Sequence, residues 1–486
     1  MNLHTLLATT LLHSLTSAQQ PSCSPTLTAS YATPSVASGY TAHLIAQNLT
    51  SPRGMKFDSQ GALLVVEEGR GISALNLVDG GNDCVSVGSR KLVIEESGLN
   101  HGIEVGEGGR VVYGSSGDVL WSWEYDPSAQ ANTSAPKALV TGMAGSDHTS
   151  RTIKLSKWAP GMIVIKSALS RGSFENVDPA AASMSSGHSQ VKAFNISNVT
   201  SEAYDFNTDG VMLGWGLRND VGIDEEPTTG RIYTVENSAD EIERSGQDIH
   251  QNNPAEELNF LGYLNGTESS NQGRNFGYPE CFTAWQPAGI PDFNGQVGEQ
   301  FAVPLNSSNN DTTCDLANRQ APRLAFQAHT APLDILFNPS GTAAWISFHG
   351  SWNRDSPIGY ELSVVEFESG EPVAANTSRD AAVPIMSNQD LSACPDGCFR
   401  PVGLAWDSNG RLFMSSDSTG EIYMIVRTDG NATSSVGSNA TGTIPGVTAN
   451  STRTGSGAAT SSSAAAAGMV GASALAGVFA IFAFLL

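Results

Sequence analysis

Four arginines and a histidine recur at one kind of place in this sequence: two residues before, or next to, the first apolar residue of an apolar-x-apolar pair. The positions are Arg53, His101, Arg151, Asn219 with Arg218 beside it, Ala331 with His329 two before it, and Arg400. The chain holds only 25 Lys and Arg against 48 Asp and Glu, so this concentration is selective. Guanidinium groups gathered round one point repel each other unless an anion sits among them, and their planar fork matches carboxylates. The set is therefore expected to hold a small polyanion. His101 is the member able to accept a proton near neutral pH.

The elements that carry these residues are repeated. Each copy has a polar residue, an apolar-x-apolar pair, a turn rich in Asp, Asn, Pro and Gly, and then a β-rich run. Six copies start at Arg53, His101, Arg151, Asn219, Ala331 and Arg400. Their second strands read Leu63-Leu-Val-Val66, Val111-Val-Tyr113, Met162-Ile-Val-Ile165, Ile232-Tyr-Thr-Val235, Ala344-Trp-Ile-Ser347 and Leu412-Phe-Met-Ser415. Period-two alternation followed by an apolar run across a tight turn predicts a hairpin. Long helix-period segments are missing, so the sheets must cover one another. Six repeats predict an all-β, six-bladed β-propeller. The 112 residues from Asn219 to Ala331 predict a long insertion in the fourth blade, carrying Cys281 and Cys314. Loops that lead into inner strands lie near the mouth of a propeller's channel, so the polyanion is expected there.

The outer segments predict the chain's fate in the cell. Residues 1–18 read as a secretory signal peptide, 19–428 as the propeller domain, 429–457 as a Ser/Thr/Gly-rich glycosylated linker and 458–486 as a GPI-attachment signal that is removed. Eleven Asn-x-Ser/Thr sequons and six cysteines fit a secreted, cell-surface protein. The order of the cysteines suggests Cys23–Cys84, Cys281–Cys314 and Cys394–Cys398, with other pairings open. A formal charge of −23 argues against nucleic acid as a partner, and the GPI anchor is the only membrane contact expected.

Several runs are more specific than the repeat: Ser51-Pro-Arg-Gly-Met55, Gly216-Leu-Arg-Asn219, Asn253-Pro-Ala-Glu-Glu-Leu-Asn259, Asn275-Phe-Gly-Tyr-Pro279, His349-Gly-Ser-Trp-Asn-Arg354 and Arg400-Pro-Val-Gly-Leu404. Together they resemble the glucose/sorbosone dehydrogenase superfamily of soluble quinoproteins, most of all the fungal PQQ-dependent pyranose dehydrogenases. The resemblance runs from about Tyr40 to Ile425. It implies an extracellular sugar dehydrogenase with pyrroloquinoline quinone (PQQ) and Ca²⁺ as cofactors. It implies His101 as the general base that takes the sugar hydroxyl proton while hydride passes to the quinone. Arg53, Arg218, Asn219, His349, Trp352 and Arg400 are implied as the shell round PQQ, with Trp352 as a wall or stacking face, and Asp118 as a group that could orient His101. Ca²⁺ is implied on backbone carbonyls of the loop before Glu256-Glu257-Leu258-Asn259. This chain departs from the family there with Gln251-Asn252-Asn253-Pro254, leaving Gln251, Asn252 and Asn253 all open as donors.

Two other classes fit a six-bladed propeller. A Ca²⁺-dependent lactonase would ring its channel with acids, whereas the ring positions here are basic. A non-catalytic binding propeller would need neither His101 nor the arginine set. No haem-binding motif is present, so electrons are expected to leave to an external acceptor such as a haem protein. Asp205-x-Asn207-x-Asp209-Gly210 opens like a Ca²⁺-binding helix–loop–helix segment. Its twelfth position is Gly216 where that site needs a bidentate glutamate, so a tight turn is expected instead.

Overall fold

The computed structural model describes residues 27–436, apart from positions 82, 144, 146–147, 168–176, 200–201, 316 and 318. The expected signal peptide, the GPI signal, most of the linker and Cys23 lie outside the described residues. Among those described, no helix is long and apolar enough to cross a membrane.

Six sheets, antiparallel except for one outermost pair in each of the second and third, follow one another along the chain. Their inner strands are Pro52–Phe57, Leu99–Val105, Ile153–Leu155, Asp220–Glu225, Pro332–Phe337 and Pro401–Trp406. Each pairs with the strand that follows it: Leu63–Glu67, Val111–Ser116, Met162–Ser167, Arg231–Glu236, Ala343–Phe348 and Leu412–Ser416. The inner strands touch in ring order, and the sixth returns to the first. This is the six-bladed propeller expected from the repeats. The ring is closed by the N-terminal strand Tyr40–Ala46, which pairs with Glu421–Arg427 as the outer strand of the sixth blade.

The apolar second strands explain why blades stack. Leu63 and Val65 pack against Phe413 and Met424 of the sixth blade, while Leu64 and Val66 pack against Val112 and Trp123 of the second. A strand buried on both faces reads as a continuous apolar run, because alternate side chains serve alternate neighbours. A comparable cluster fills each of the other four interfaces between blades.

Near the axis the blades are latched through backbone. A Cβ on Gly54 would stand 2.3 Å from the His101 carbonyl oxygen, one on Gly102 2.4 Å from that of Arg151, and one on Gly403 2.3 Å from that of Arg53. Only glycine allows this approach. Serines on the second strands bridge the same gaps: Ser415 accepts from the Gly403 N–H at 2.8 Å and donates to the Arg53 carbonyl at 2.8 Å. Ser115 links Gly102 to Arg151 in the same way.

In the fourth sheet, residues 264–323 run between the neighbouring strands Glu256–Tyr263 and Leu324–Phe326. This excursion holds the hairpin Cys281–Thr283 with Gln300–Ala302 and the Cys281–Cys314 disulfide; Cys394–Cys398 is also formed. It is pinned from the preceding loop by Arg244, whose fork meets both oxygens of Asp311 at 2.7 and 2.8 Å. The Asp205–Asp209 segment is a tight turn closed by its own carboxylates.

Candidate active site

Five inner strands slip register at their first residues, between Pro52 and Met55, Leu99 and Ile103, Asp220 and Gly222, Pro332 and Asp334, and Pro401 and Leu404. Bulges of this kind re-aim a side chain. Here they occur at or beside the repeat-start residues, at one end of the central channel. Further along the inner strands, charged side chains from the first five blades plug the channel. Lys56 pairs with Glu104 at 3.1 Å and Lys154 with Asp224 at 2.6 Å, round a cavity of about 30 Å³, the scale of one water. A ligand must therefore approach from the repeat-start end.

At that end His101 is 3 % exposed and its Nδ1 accepts from Arg53 Nε at 3.2 Å. Arg53 also donates from Nη1 to Asp417 Oδ2 at 2.5 Å, and the other Asp417 oxygen lies 2.9 Å from His349 Nε2. Arg400 donates to the carbonyls of His349 and Gly350 at 3.1 and 2.9 Å, with its guanidinium 5.6 Å from the Tyr360 ring centre. A second group adjoins the first: the buried Lys166 Nζ donates to Asn219 Oδ1. His101 lies within the electrostatic influence of Arg53, Lys166, Asp417 and His349, so the two groups share one mouth.

The charge states follow from burial. Desolvation, then Arg53 and Lys166, push the His101 imidazole well below its ordinary value, so it is neutral around pH 7. Burial and the Arg400 charge bring His349 down to about 4. Burial alone would raise Asp417, but His349, Arg53 and Arg400 hold it well below the usual carboxylate range. A neutral histidine thus stands in a cationic shell tempered by the Asp417 carboxylate, with Glu68 also within the influence of Arg53.

The guanidinium groups do not stand alike. Arg53 is paired with Asp417, and Arg218 donates to Asp240 at 2.5 Å. Arg400 and Arg151 are held by backbone carbonyls, those of Arg151 belonging to Met143, His148 and Ser150. His329 is drawn away to the His250 carbonyl at 2.5 Å. Asp118 is exposed, and its charge acts on Arg151; among the described contacts the His101 ring is held by Arg53 instead. Trp352 is 47 % exposed on a loop tied down by Asn353 to the Asp240 carbonyl and by Arg354 to that of Gln251. The Asn253 side chain is committed to the backbone of Trp285 and Gln286, leaving its carbonyl as the oxygen it could offer a metal.

Asp417 and Lys166 were absent from the residues singled out by the repeat. In each hairpin the second strand runs back, so its last residues lie beside the first residues of the inner strand, as in the pairs Pro52 with Glu67 and Pro401 with Ser416. Lys166, His349 and Asp417 all occupy such ends. Pairing each repeat start with the end of its own hairpin would have found them.

The TrAA12-like family model matches residues 34–428. This chain belongs to the TrAA12-like family. Among its relatives, a pyrroloquinoline quinone-dependent sugar dehydrogenase of Hypocrea jecorina is 43 % identical over 88 % of this chain and 98 % of its own length. A pyrroloquinoline quinone-dependent pyranose dehydrogenase of Coprinopsis cinerea is 39 % identical over 81 % of this chain, a match that spans 55 % of the Coprinopsis protein. The calcium structure of the Trichoderma reesei family AA12 enzyme aligns with a TM-score of 0.79 at 43 % identity, covering 83 % of this chain and 99 % of that one. The holo PQQ domain of the Coprinopsis enzyme aligns at 0.77 with 37 % identity, over 83 % of this chain and 99 % of the domain.

Proposed function

We propose that this member of the TrAA12-like family is an extracellular PQQ- and Ca²⁺-dependent sugar dehydrogenase in which His101 is the general base. The observation that carries the reading is a neutral, buried imidazole inside a shell built from Arg53, His349, Arg400, Asn219 and Lys166. The shell fits a polyanionic quinone. Arg400 and Arg151 make no ion pair among the described residues, so an incoming tricarboxylate meets two guanidinium groups with no carboxylate partner to displace. The same reading applies to the metal. No cluster of three or more His, Cys, Asp or Glu side chains among the described residues is placed to hold one. Ca²⁺ would take its oxygens from backbone carbonyls about Asn252 and Asn253 and from the cofactor.

PQQ, when bound, supplies a quinone carbon that accepts hydride. The chain supplies the proton chemistry. Because Arg53 Nε donates to His101 Nδ1, the neutral ring carries its own proton at Nε2 and holds a lone pair at Nδ1. Were Arg53 to turn its donors to a bound anion, that lone pair would be left to accept a sugar hydroxyl proton. Cofactor-free protein titrated with PQQ in the presence of Ca²⁺ should gain one bound quinone absorption band per chain, lost on chelation of the metal. Absence of any bound band would remove this reading.

The expected leader, glycosylated linker and apolar tail support placement on the outer cell surface by a GPI anchor, with an external electron acceptor. Phosphatidylinositol-specific phospholipase should release the protein from intact cells. Recovery of residues 469–486 in membrane-bound protein would contradict the anchor.

A further inference from the structure

Lys166 is the penultimate residue of the second strand of the third blade, Met162–Ser167, and is 1 % exposed. Alternation along that strand turns Ile163 and Ile165 to the second-blade interface, and Val164 to the fourth-blade interface with Lys166 on the same side. The side chain so directed reaches the start of the fourth blade, where its Nζ has one described partner, Asn219 Oδ1. An ammonium carries three donors and, when buried, needs an anion or a full set of acceptors. Neither is present: among the described residues Lys166 makes no ion pair, and Asp220, the negative group that most favours its charge, makes no hydrogen bond to it. The other charged or titratable groups that face it from the surrounding blades are Arg53, His101, His148, Arg151 and Arg218. Asp220 is itself buried and pushed up to about 7 by desolvation, and it lies within the influence of Glu257. Burial, followed by Arg151, pushes Lys166 well below its ordinary range, the direction that favours the neutral amine.

We propose that Lys166 holds the anionic cofactor, taking up a proton from solvent as PQQ enters and then donating to one of its carboxylate or quinone oxygens. This rests on the functional reading above and adds to it a residue and a linkage: cofactor binding becomes proton-coupled. The chemistry balances as an amine plus one solvent proton giving an ammonium, with no redox change.

The test is calorimetric titration of PQQ into cofactor-free protein with Ca²⁺ at about pH 8, in two buffers of different ionisation heat, for wild type, Lys166→Met and Lys166→Arg. Wild type should take up about one proton more per PQQ than Lys166→Met, and Lys166→Met should bind roughly tenfold more weakly or worse. Lys166→Arg, charged throughout, should bind without that extra proton and serves as the second variant if Lys166→Met folds poorly. Equal proton uptake in wild type and both variants overturns the proposal whatever the affinities. Failure of wild type to bind PQQ at all would instead remove the functional reading on which the proposal rests.

Discussion

His101→Ala is expected to slow sugar-driven reduction of the bound cofactor by roughly 10²–10⁴-fold while leaving PQQ and Ca²⁺ in place. The imidazole is neutral because burial and its cationic neighbours disfavour a second proton, so a base is available throughout the neutral range. Its removal leaves a space next to Arg53 without taking away a charge that grips an anion. A histidine that only braced its neighbours would behave otherwise, lowering stability and cofactor occupancy together. Rates should therefore be compared per bound PQQ by rapid mixing with sugar. Wild-type reduction rates in the variant would take the proton-accepting role away from His101.

Asp417→Ala should destabilise the cofactor-free protein by about 3–5 kcal/mol, read from the denaturant midpoint. The carboxylate is nine-tenths buried and bridges Arg53 at 2.5 Å and His349 at 2.9 Å. Without it the Arg53 and Arg400 charges lose the carboxylate they share, and only the more distant influence of Glu68 on Arg53 and of Asp396 on Arg400 is left among the described residues. The loss should shrink when PQQ and Ca²⁺ are bound, because the cofactor's carboxylates restore negative charge to the same place. Asp417→Asn keeps the shape and one acceptor, and should fall between the two. A loss below about 1 kcal/mol in both variants would show that Asp417 does not hold the cluster together.

The propeller was legible because each blade is built from local hairpins whose strands are buried on both faces, a pattern that repeats in sequence wherever it repeats in space. Five of the six inner strands contain or directly follow the residues that start the repeats, and the third begins two residues after Arg151. Closure by Tyr40–Ala46 on Glu421–Arg427 was not legible, since pairing between the two ends of a domain leaves no local pattern. The site divided in the same way. His101, Arg53 and Arg400 announce themselves by position in the repeat, and His349 by a motif. Lys166 and Asp417 are set by the antiparallel return of a strand, a relation visible only once hairpin register is known. Ion pairing was likewise hidden: Arg218 looks like Arg400 in sequence, yet Asp240, placed by the turn after the fourth blade's second strand, already holds it.

The most direct measurement is anaerobic mixing of wild-type protein, loaded with PQQ and Ca²⁺ and given no other electron acceptor, with a panel of pyranose sugars while the absorbance of the bound quinone is followed. The predicted result is conversion of the quinone to its reduced form by at least one sugar, with about one sugar oxidised per cofactor. A fully loaded protein whose quinone no sugar in the panel reduces would contradict the account.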